Sequence, residues 1–518
     1  MGARVDRDRP VEPDAWHSDK PRILREISFG ARVAEEEAAE LKTYFVETDQ
    51  WLRLYRGDID VVYGAKGSGK SAMFALLLSR EDALFDRHIL MAAVEDPRGA
   101  PVFGQLVVDE PPTEFELRAL WKLYFLSIIG QVFREYRLTA PSATRVLTEL
   151  ERAGLIERTA NLRRLLHATL EYVRAVTRAT GFEATLAMNP GTGMPIGITG
   201  RITFREPTSF ERAQFGLVSV DEVIEIADQA LAEADFSVWL VLDRLDVAFA
   251  ESERLESNAL RALFRVYMSF RRLERISLKI FLRSDIWERI TKGGFREASH
   301  VTRELTIAWN DDSLLHLIVR RLLRNDVVRF RFGVDSRKAS TDRYQRHLFY
   351  TIFPRRRYRL TVADTFEWVI SLVTDGSGVA APRELIHLFN AARDAQIRRL
   401  EMGQRPPVGD LLFDLVAFGD ALEEVSQARL RQTIFAEYPQ YRPWIERLSG
   451  ERVEHTTRTL ATTWSVNDVE ATRRAERLAG IGVLRPSGSR ATIAYQVPLL
   501  YRPALGLLSG SNWVYTDR

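Results

Sequence analysis

An α/β protein built on a mostly parallel sheet, with a helical insertion, a helical region after the sheet and a small C-terminal module, is what this sequence predicts. Five short apolar runs at 59–63, 88–94, 237–242, 277–282 and 304–308 alternate with helical patterns, which is the signature of a parallel sheet flanked by helices. A glycine-rich turn follows the first run directly, and the chain ends on a helix, a tight turn and a hairpin pattern.

The first twenty or so residues are polar, with Pro10, Pro13 and Pro21, and read as a flexible arm. Residues 31–54 carry apolar side chains at helical spacing. Between the second and third apolar runs the gap is long. It holds helix-like stretches at 114–136 and 162–180 and a Gly/Pro-punctuated pair of strands around 189–193 and 200–204, so about 141–235 reads as an insertion. After Asp311 the pattern turns helical, at 313–325, 361–374 and 382–400. The end reads as a helix at 466–479, a turn at Gly480 and Gly482, and strands at 482–485 and 491–497. The expected domains are an arm at 1–28, a sheet domain at 29–312, a helical domain at 313–420 and a C-terminal domain at 421–518.

Composition narrows the chemistry. A chain of 518 residues suggests two to four domains with a sizeable core. Zero cysteine excludes a disulfide framework, a thiolate nucleophile and Cys-ligated zinc or iron–sulfur sites. A net charge of +2 gives no bulk argument for nucleic acid. Only 8 of the 73 basic residues are lysine, which reads as compositional bias or as use of arginine's planar fork on phosphates. The absence of an 18-residue apolar run and of a signal-peptide-like start leads to the expectation of a cytoplasmic chain with no membrane association. There is no Ser/His/Asp set, no metal-type histidine spacing and no nuclease-like acid cluster to read.

The turn after the first strand carries the chemistry. Gly64, Ala65, Lys66, Gly67, Ser68, Gly69, Lys70 and Ser71 complete the pattern G-x-x-x-x-G-K-[ST] between an apolar strand and a helical run. Glycines let the backbone curl until several N–H groups face one anion, and the positive end of the following helix adds to the field. Lys70 suits the β- and γ-phosphates of ATP, and the Ser71 hydroxyl suits Mg²⁺.

Such a loop works with a carboxylate at the tip of a neighbouring strand, and 237–242 ends on Asp243, a second Mg²⁺ ligand by position. The position after it is Arg244, so the next acid, Asp246, is the candidate to activate water, or else caps the following helix. Arg283 and Ser284 end the fourth strand, where a polar side chain would face the γ-phosphate; a helix cap at Ser284-Asp285 is the alternative. Arg289, Arg296 and Arg303 read as surface charges or as arginine fingers. In Ala-Pro382-Arg383-Glu the cation stands against the dipole of a helix start, which invites an anion, a γ-phosphate or a salt bridge.

These pieces in this order resemble the additional-strand P-loop ATPases, specifically the bacterial branch near the STAND, KAP and origin-recognition AAA+ proteins. The matching elements are the Gly64–Ser71 loop, Asp243-Arg-Leu-Asp246, Phe281-Leu-Arg-Ser-Asp285 and the Pro382-Arg383 helix start, within roughly 29–400. The resemblance implies a P-loop NTPase parallel sheet with the phosphate-loop strand central, a helical lid at 313–420 and a winged helix at 421–518. It also implies an ATP-binding, ATP-hydrolysing switch that forms a homo-oligomer and acts on a nucleic-acid or effector-protein partner, in antiviral defence by analogy. KAP-type members place a second acid directly after the first, and Arg244 departs from that. A non-hydrolysing nucleotide-binding scaffold and a small-molecule kinase stay open as alternatives.

Residues 425–518 hold 13 arginines against 8 acids, among them Arg473, Arg474 and Arg477 on the expected helix and Arg485 and Arg490 near the wing. A winged helix of that charge reads DNA or RNA, or serves as a protein spacer. Arg261, Arg265, Arg271, Arg272 and Arg275 mark a second basic helix, a solvated face or the lining of a channel in an oligomer.

Overall fold

The computed structural model describes residues 13–31, 37, 45, 47–94, 112–156, 161–181, 202–245, 252–335, 337–339, 341–355, 364–489 and 492–507. In chain order its strands are β1 (Val61–Gly64), β2 (Ile89–Ala93), β3 (Ile202–Thr203), β4 (Val218–Ser219), β5 (Ser237–Leu242), β6 (Ile276–Arg283), β7 (Glu304–Thr306), β8 (Glu454–Thr456), β9 (Arg485–Ser489) and β10 (Thr492–Gln496). Two compact units emerge, one of Glu47–Ile307 and one joining Met1–Val46 to Ala308–Arg518.

The Glu47–Ile307 unit is organised by a five-stranded sheet of order β2-β5-β6-β1-β7, parallel at every pairing. All five apolar runs become its strands. Helices cover the sheet, so every residue of β1 is buried, and strands buried on both faces read as continuous apolar runs instead of alternating ones. The phosphate-loop strand β1 lies inside the sheet between β6 and β7, but one place from the edge instead of at the centre.

The long excursion between β2 and β5 supplies helices that bury this sheet. A capping box in which Thr113 and Glu116 satisfy each other's backbone amides starts the helix Glu114–Glu135. This helix packs on Glu253–Phe270, and Trp121 Nε1 donates to the Ala259 carbonyl at 2.9 Å. Helices Pro141–Arg152, Leu162–Gly181 and Val220–Glu233 pack around it. The expected pair of strands is corrected: Ile202–Thr203 pairs in parallel with Val218–Ser219, and 189–193 lies outside the described residues.

At the N-terminal end of β1 the sheet contains a charge cluster. Lys279, in the middle of β6 and 1% exposed, donates to Asp60 at 2.9 Å and to the Ile59 carbonyl at 2.7 Å, with its ammonium 4.5 Å from the Trp239 ring centroid. Tyr267 and Arg303 bind the other Asp60 oxygen at 3.2 and 3.1 Å. Burial holds the Lys279 ammonium below the usual lysine range, because the desolvation it opposes outweighs the Asp60 attraction.

The arm expected at 1–28 is corrected over its described part. Pro13–Glu26 is a helix that belongs to the unit containing the C-terminal half, and Ile23, Leu24, Ile27 and Phe29 are buried there. Lys20, fully buried, donates to the Gly409 carbonyl at 2.7 Å. Asn325 and Asn390 bind the backbone of Ser28, Phe29 and Gly30 and hold the chain in place after this helix. Of the helix expected at 31–54, the described residues contain Asp49–Arg56; most of the remainder lies outside them.

The rest of this unit is helical up to the terminal module. Helices Pro382–Glu401 and Leu415–Ala428 form its largest helix pair, and Phe349, Phe353, Phe389, Phe413 and Phe418 interlock at centroid distances of 4.5–6.3 Å. The domain boundary expected at 420/421 falls inside Leu415–Ala428, a helix shared by both sides of it. Helices Thr457–Trp464 and Asp468–Gly480, followed by β9 and β10 in the antiparallel sheet β8-β10-β9, have the arrangement of a winged helix. Its second helix is capped by the Asn467 side chain on Glu470 N, and the hairpin strands are Arg485–Ser489 and Thr492–Gln496.

Candidate nucleotide-binding site

Gly64 ends β1, and the backbone then curls so tightly that a Cβ at Gly64 would stand 2.3 Å from Ser68 Oγ. Gly67 and Gly69 have φ of +80° and +101°, conformations that side-chain-bearing residues rarely adopt. Gly69 is the cap of the helix Lys70–Leu78 and offers no side-chain hydrogen bond, and the first turn of that helix carries no acid. This helix start thus presents its amides and the positive end of its dipole with no side-chain cap and no acid in its own first turn. Buried Met73, Phe74, Leu76 and Leu77 fix the helix to the sheet, with Phe74 edge-on to Phe281 at 5.8 Å. Lys70 folds back over the loop and donates from Nζ to the carbonyls of Gly64 at 2.8 Å and Ala65 at 3.1 Å.

The sheet order places the other polar residues at the same edge. Register pairs Gly64 with Arg283, so the end of β6 lies directly beside the start of the loop. Leu242 pairs with Ile280, which puts Asp243 just beyond the end of β5, two strands from β1 and about 10 Å across the sheet. Asp243 is 4% exposed. Its neighbour Arg244 has φ +60°, a left-handed conformation that costs a non-glycine residue about 1–2 kcal/mol. Asp246 lies outside the described residues.

Arg283 makes a bidentate pair with Asp285, Nε to Oδ1 at 3.0 Å and Nη2 to Oδ2 at 2.8 Å. Ser284 begins the helix Ser284–Lys292, whose Trp287 stacks on Tyr63 of β1 at 5.0 Å and so ties this helix to the strand feeding the loop. The i, i+2 spacing of Arg283 and Asp285 was the signal in the sequence that this arginine has a carboxylate partner.

Several basic candidates are otherwise engaged. Arg303 lies before β7, at the end of the sheet opposite the loop, and binds Asp60, so it is a structural cation and not a finger. Arg289 pairs with Glu253 and with buried Glu256, while Arg296 is exposed. The helix Glu253–Phe270 and its C-terminal turn do not present a free basic face: Arg265 pairs with Glu114 and Glu297, Arg272 with Glu225 and Arg275 with Asp235, while Arg261 and Arg271 donate to backbone carbonyls. Arg265, Arg272 and Arg275 thus have their charge matched by carboxylates, while Arg261 and Arg271 keep theirs. In the winged helix, Glu470 binds both Arg473 and Arg474, Arg477 reaches Tyr441, Arg485 is exposed, and Arg490 lies outside the described residues.

Arg383 belongs to the other unit. It occupies the first turn of Pro382–Glu401, behind a proline and a cap, Ala381, without a side-chain hydrogen bond. Its buried Nε has no hydrogen-bond partner among the described residues.

The residues at the loop fit a nucleotide and a hard cation. A glycine cradle that a Cβ would fill, an acid-free helix start and one lysine suit a polyphosphate, and the Ser71 hydroxyl with the Asp243 carboxylate supplies oxygen donors of the kind Mg²⁺ takes. Among the described residues no group of three or more His, Cys, Asp or Glu side chains forms a metal site of its own.

Fold and loop together define a P-loop type of α/β fold, with one strand, β6, between the phosphate-loop strand and the strand ending in Asp243. The sequence matches no family profile and no curated protein. Among solved structures the chain is similar to the Aeropyrum pernix ORC2 protein, determined in ADPNP–ADP complexes, at 14% identity and a TM-score of 0.41 over 93% of this chain and 94% of that one. No helix among the described residues is long and apolar enough to cross a membrane.

Proposed function

We propose that the chain binds ATP at Gly64–Ser71 and hydrolyses it slowly, as a nucleotide-dependent switch. The observation that carries this reading is the loop itself: Gly67 and Gly69 hold left-handed backbone so that amides converge at an acid-free helix start, with Lys70 folded over them. On binding, Lys70 exchanges two loop carbonyls for phosphate oxygens, while the loop amides and the helix start hold the β-phosphate. Ser71 and Asp243 would hold Mg²⁺, which would supply charge neutralisation for the phosphates.

In this reading Arg283, oriented by Asp285 beside Gly64, senses the terminal phosphate, and Asp246 activates water in place of the position that Arg244 occupies. The winged helix couples nucleotide state to a nucleic-acid or protein partner, and oligomerisation accompanies the ATP-bound state. The left-handed Arg244 directly after Asp243 favours a second reading, in which nucleotide is held and not turned over.

Steady-state ATP hydrolysis and nucleotide affinity for the wild type, Lys70→Ala and Asp246→Ala, each with and without DNA, separate the two. The expected result is weak turnover lost in Lys70→Ala, and lost in Asp246→Ala with binding intact. Turnover indifferent to Lys70 sinks the assignment, whereas wild-type binding without any turnover selects the scaffold.

A further inference from the structure

Within the unit that contains the C-terminal half, the helical region and the winged helix meet at Arg429. This residue opens a π-helical segment, Arg429–Ile434, that carries the chain on from Leu415–Ala428, the second helix of the largest helix pair. From that junction its guanidinium reaches both sides. On the helical side Nη1 donates to Glu384 at 2.8 Å, and Nη2 stands 3.9 Å from Asp375 Oδ2. On the other side Nε donates at 3.5 Å to the hydroxyl of Tyr501, which follows the last strand of the winged helix. Glu384 and Tyr501 are buried, and the Arg429 and Asp375 side chains are only 10% and 14% exposed.

The two backbones join at the same place. Asp375 Oδ1 accepts from Ser377 N and Val379 N at 2.9 and 3.1 Å and shapes the turn ahead of helix Pro382–Glu401. Gly376 N donates to the Gly482 carbonyl at 2.7 Å, in the turn between the second helix of the winged helix and its hairpin. Neither glycine has room for a side chain: a Cβ at Gly376 would lie 2.3 Å from the Leu484 carbonyl oxygen, and one at Gly482 would lie 2.9 Å from Asp375 Oδ2. The Asp375 carboxylate therefore touches the winged-helix turn itself. Yet the cluster is short of positive charge. Two carboxylates share one guanidinium, and Glu384 Oε2 is buried without a hydrogen-bond partner among the described residues. Burial holds the Asp375 carboxyl above the usual carboxylate range, against the pull of two backbone amides and Arg429, and Glu384 adds to the rise.

We propose that Arg429, Glu384, Asp375 and Tyr501 form a proton-sensitive latch that fastens the winged helix to the helical region and closes most tightly when Asp375 is neutral. Neutral Asp375 keeps Oδ1 as acceptor for both amides and leaves Arg429 matched by Glu384 alone. Ionised, it adds an unmatched charge where little water screens it, and so loosens the contact between Gly376 and Gly482. The folded chain binds this proton more tightly than the unfolded chain does. Its stabilising effect is thus fully present below the unfolded value of about 3.9 and is lost as pH rises through the folded value. A partner that pulls on the winged helix then works against a fastening whose strength pH sets. The latch lies inside one unit and does not depend on nucleotide.

The chain has no cysteine, so spin labels on Arg398→Cys and Val469→Cys, both at exposed positions, report the distance between helix Pro382–Glu401 and the winged helix by pulsed electron resonance. Circular dichroism and thermal melting verify folding. The expected wild-type distance distribution narrows as pH falls from about 7.5 to 5. Asp375→Asn, which keeps the acceptor and removes the surplus charge, should be narrow at both. Arg429→Met leaves two buried carboxylates without their cation, and should be broad at both and melt about 5 °C or more below the wild type. If that variant does not fold, Arg429→Lys keeps the charge without the planar fork that spans three partners, and a smaller broadening is expected. Asp375→Asn as broad as the arginine variant, a wild-type width indifferent to pH, or an unchanged width in the folded arginine variant overturns the latch.

Discussion

Replacing Gly69 by alanine tests the loop where the backbone is most constrained. Gly69 has φ +101° and its carbonyl accepts from Met73 N at 3.0 Å, so the residue cannot rotate to relieve strain without losing the first turn of Lys70–Leu78. An alanine held in so sparsely populated a conformation costs about 1–3 kcal/mol. If the strain falls on the nucleotide-binding conformation of the loop, affinity for ATP drops by about 5- to 150-fold. The measurement is an anisotropy titration with a labelled ATP analogue, run beside Gly450→Ala as a control. Gly450 has a comparable φ of +77°, with open space around the position of a Cβ, and lies in the other unit, so its replacement should cost stability and leave Kd unchanged. A Gly69→Ala chain that binds ATP like the wild type, or equal weakening in both variants, would refute the argument that this turn is shaped for an anion.

Two further outcomes follow from the buried charges. In urea denaturation, Asp60→Ala should cost about 3–5 kcal/mol, because it leaves Lys279 buried on carbonyls alone, whereas Lys279→Met should cost about 1–3 kcal/mol, since Asp60 keeps Arg303 and Tyr267; the reverse order would contradict the assignment. Burial holds the His455 imidazole below its usual range, so the folded chain resists protonation that the unfolded chain accepts below about pH 6.5. Stability from this group is present above that pH and is lost as pH falls through the folded value. Wild type should therefore lose up to about 1 kcal/mol per pH unit more than His455→Leu between pH 6.5 and 5, and parallel profiles would rule the effect out.

The phosphate loop, the five strands and the terminal helix–turn–hairpin were legible because each rests on short-range rules: glycine spacing, apolar runs bounded by turns, and helical periodicity. Lys279 was legible as an anomaly, a lysine inside an apolar strand, but its partner was not. Asp60 is 219 residues away, and which strand lies beside which depends on crossovers that no local pattern encodes. For the same reason only the sheet order puts Gly64 next to Arg283 and Asp243 two strands over. The arginines make the point most clearly. In the sequence their density suggests binding faces, and in the fold Arg265, Arg272 and Arg275 are paired with carboxylates brought in from other elements. The N-terminal helix was misjudged because its prolines and charges conceal Leu24, Ile27 and Phe29, whose burial depends on side chains from the far end of the chain. Local backbone preference thus determined the elements and the loop, while long-range packing alone decided which charges are left to meet a ligand.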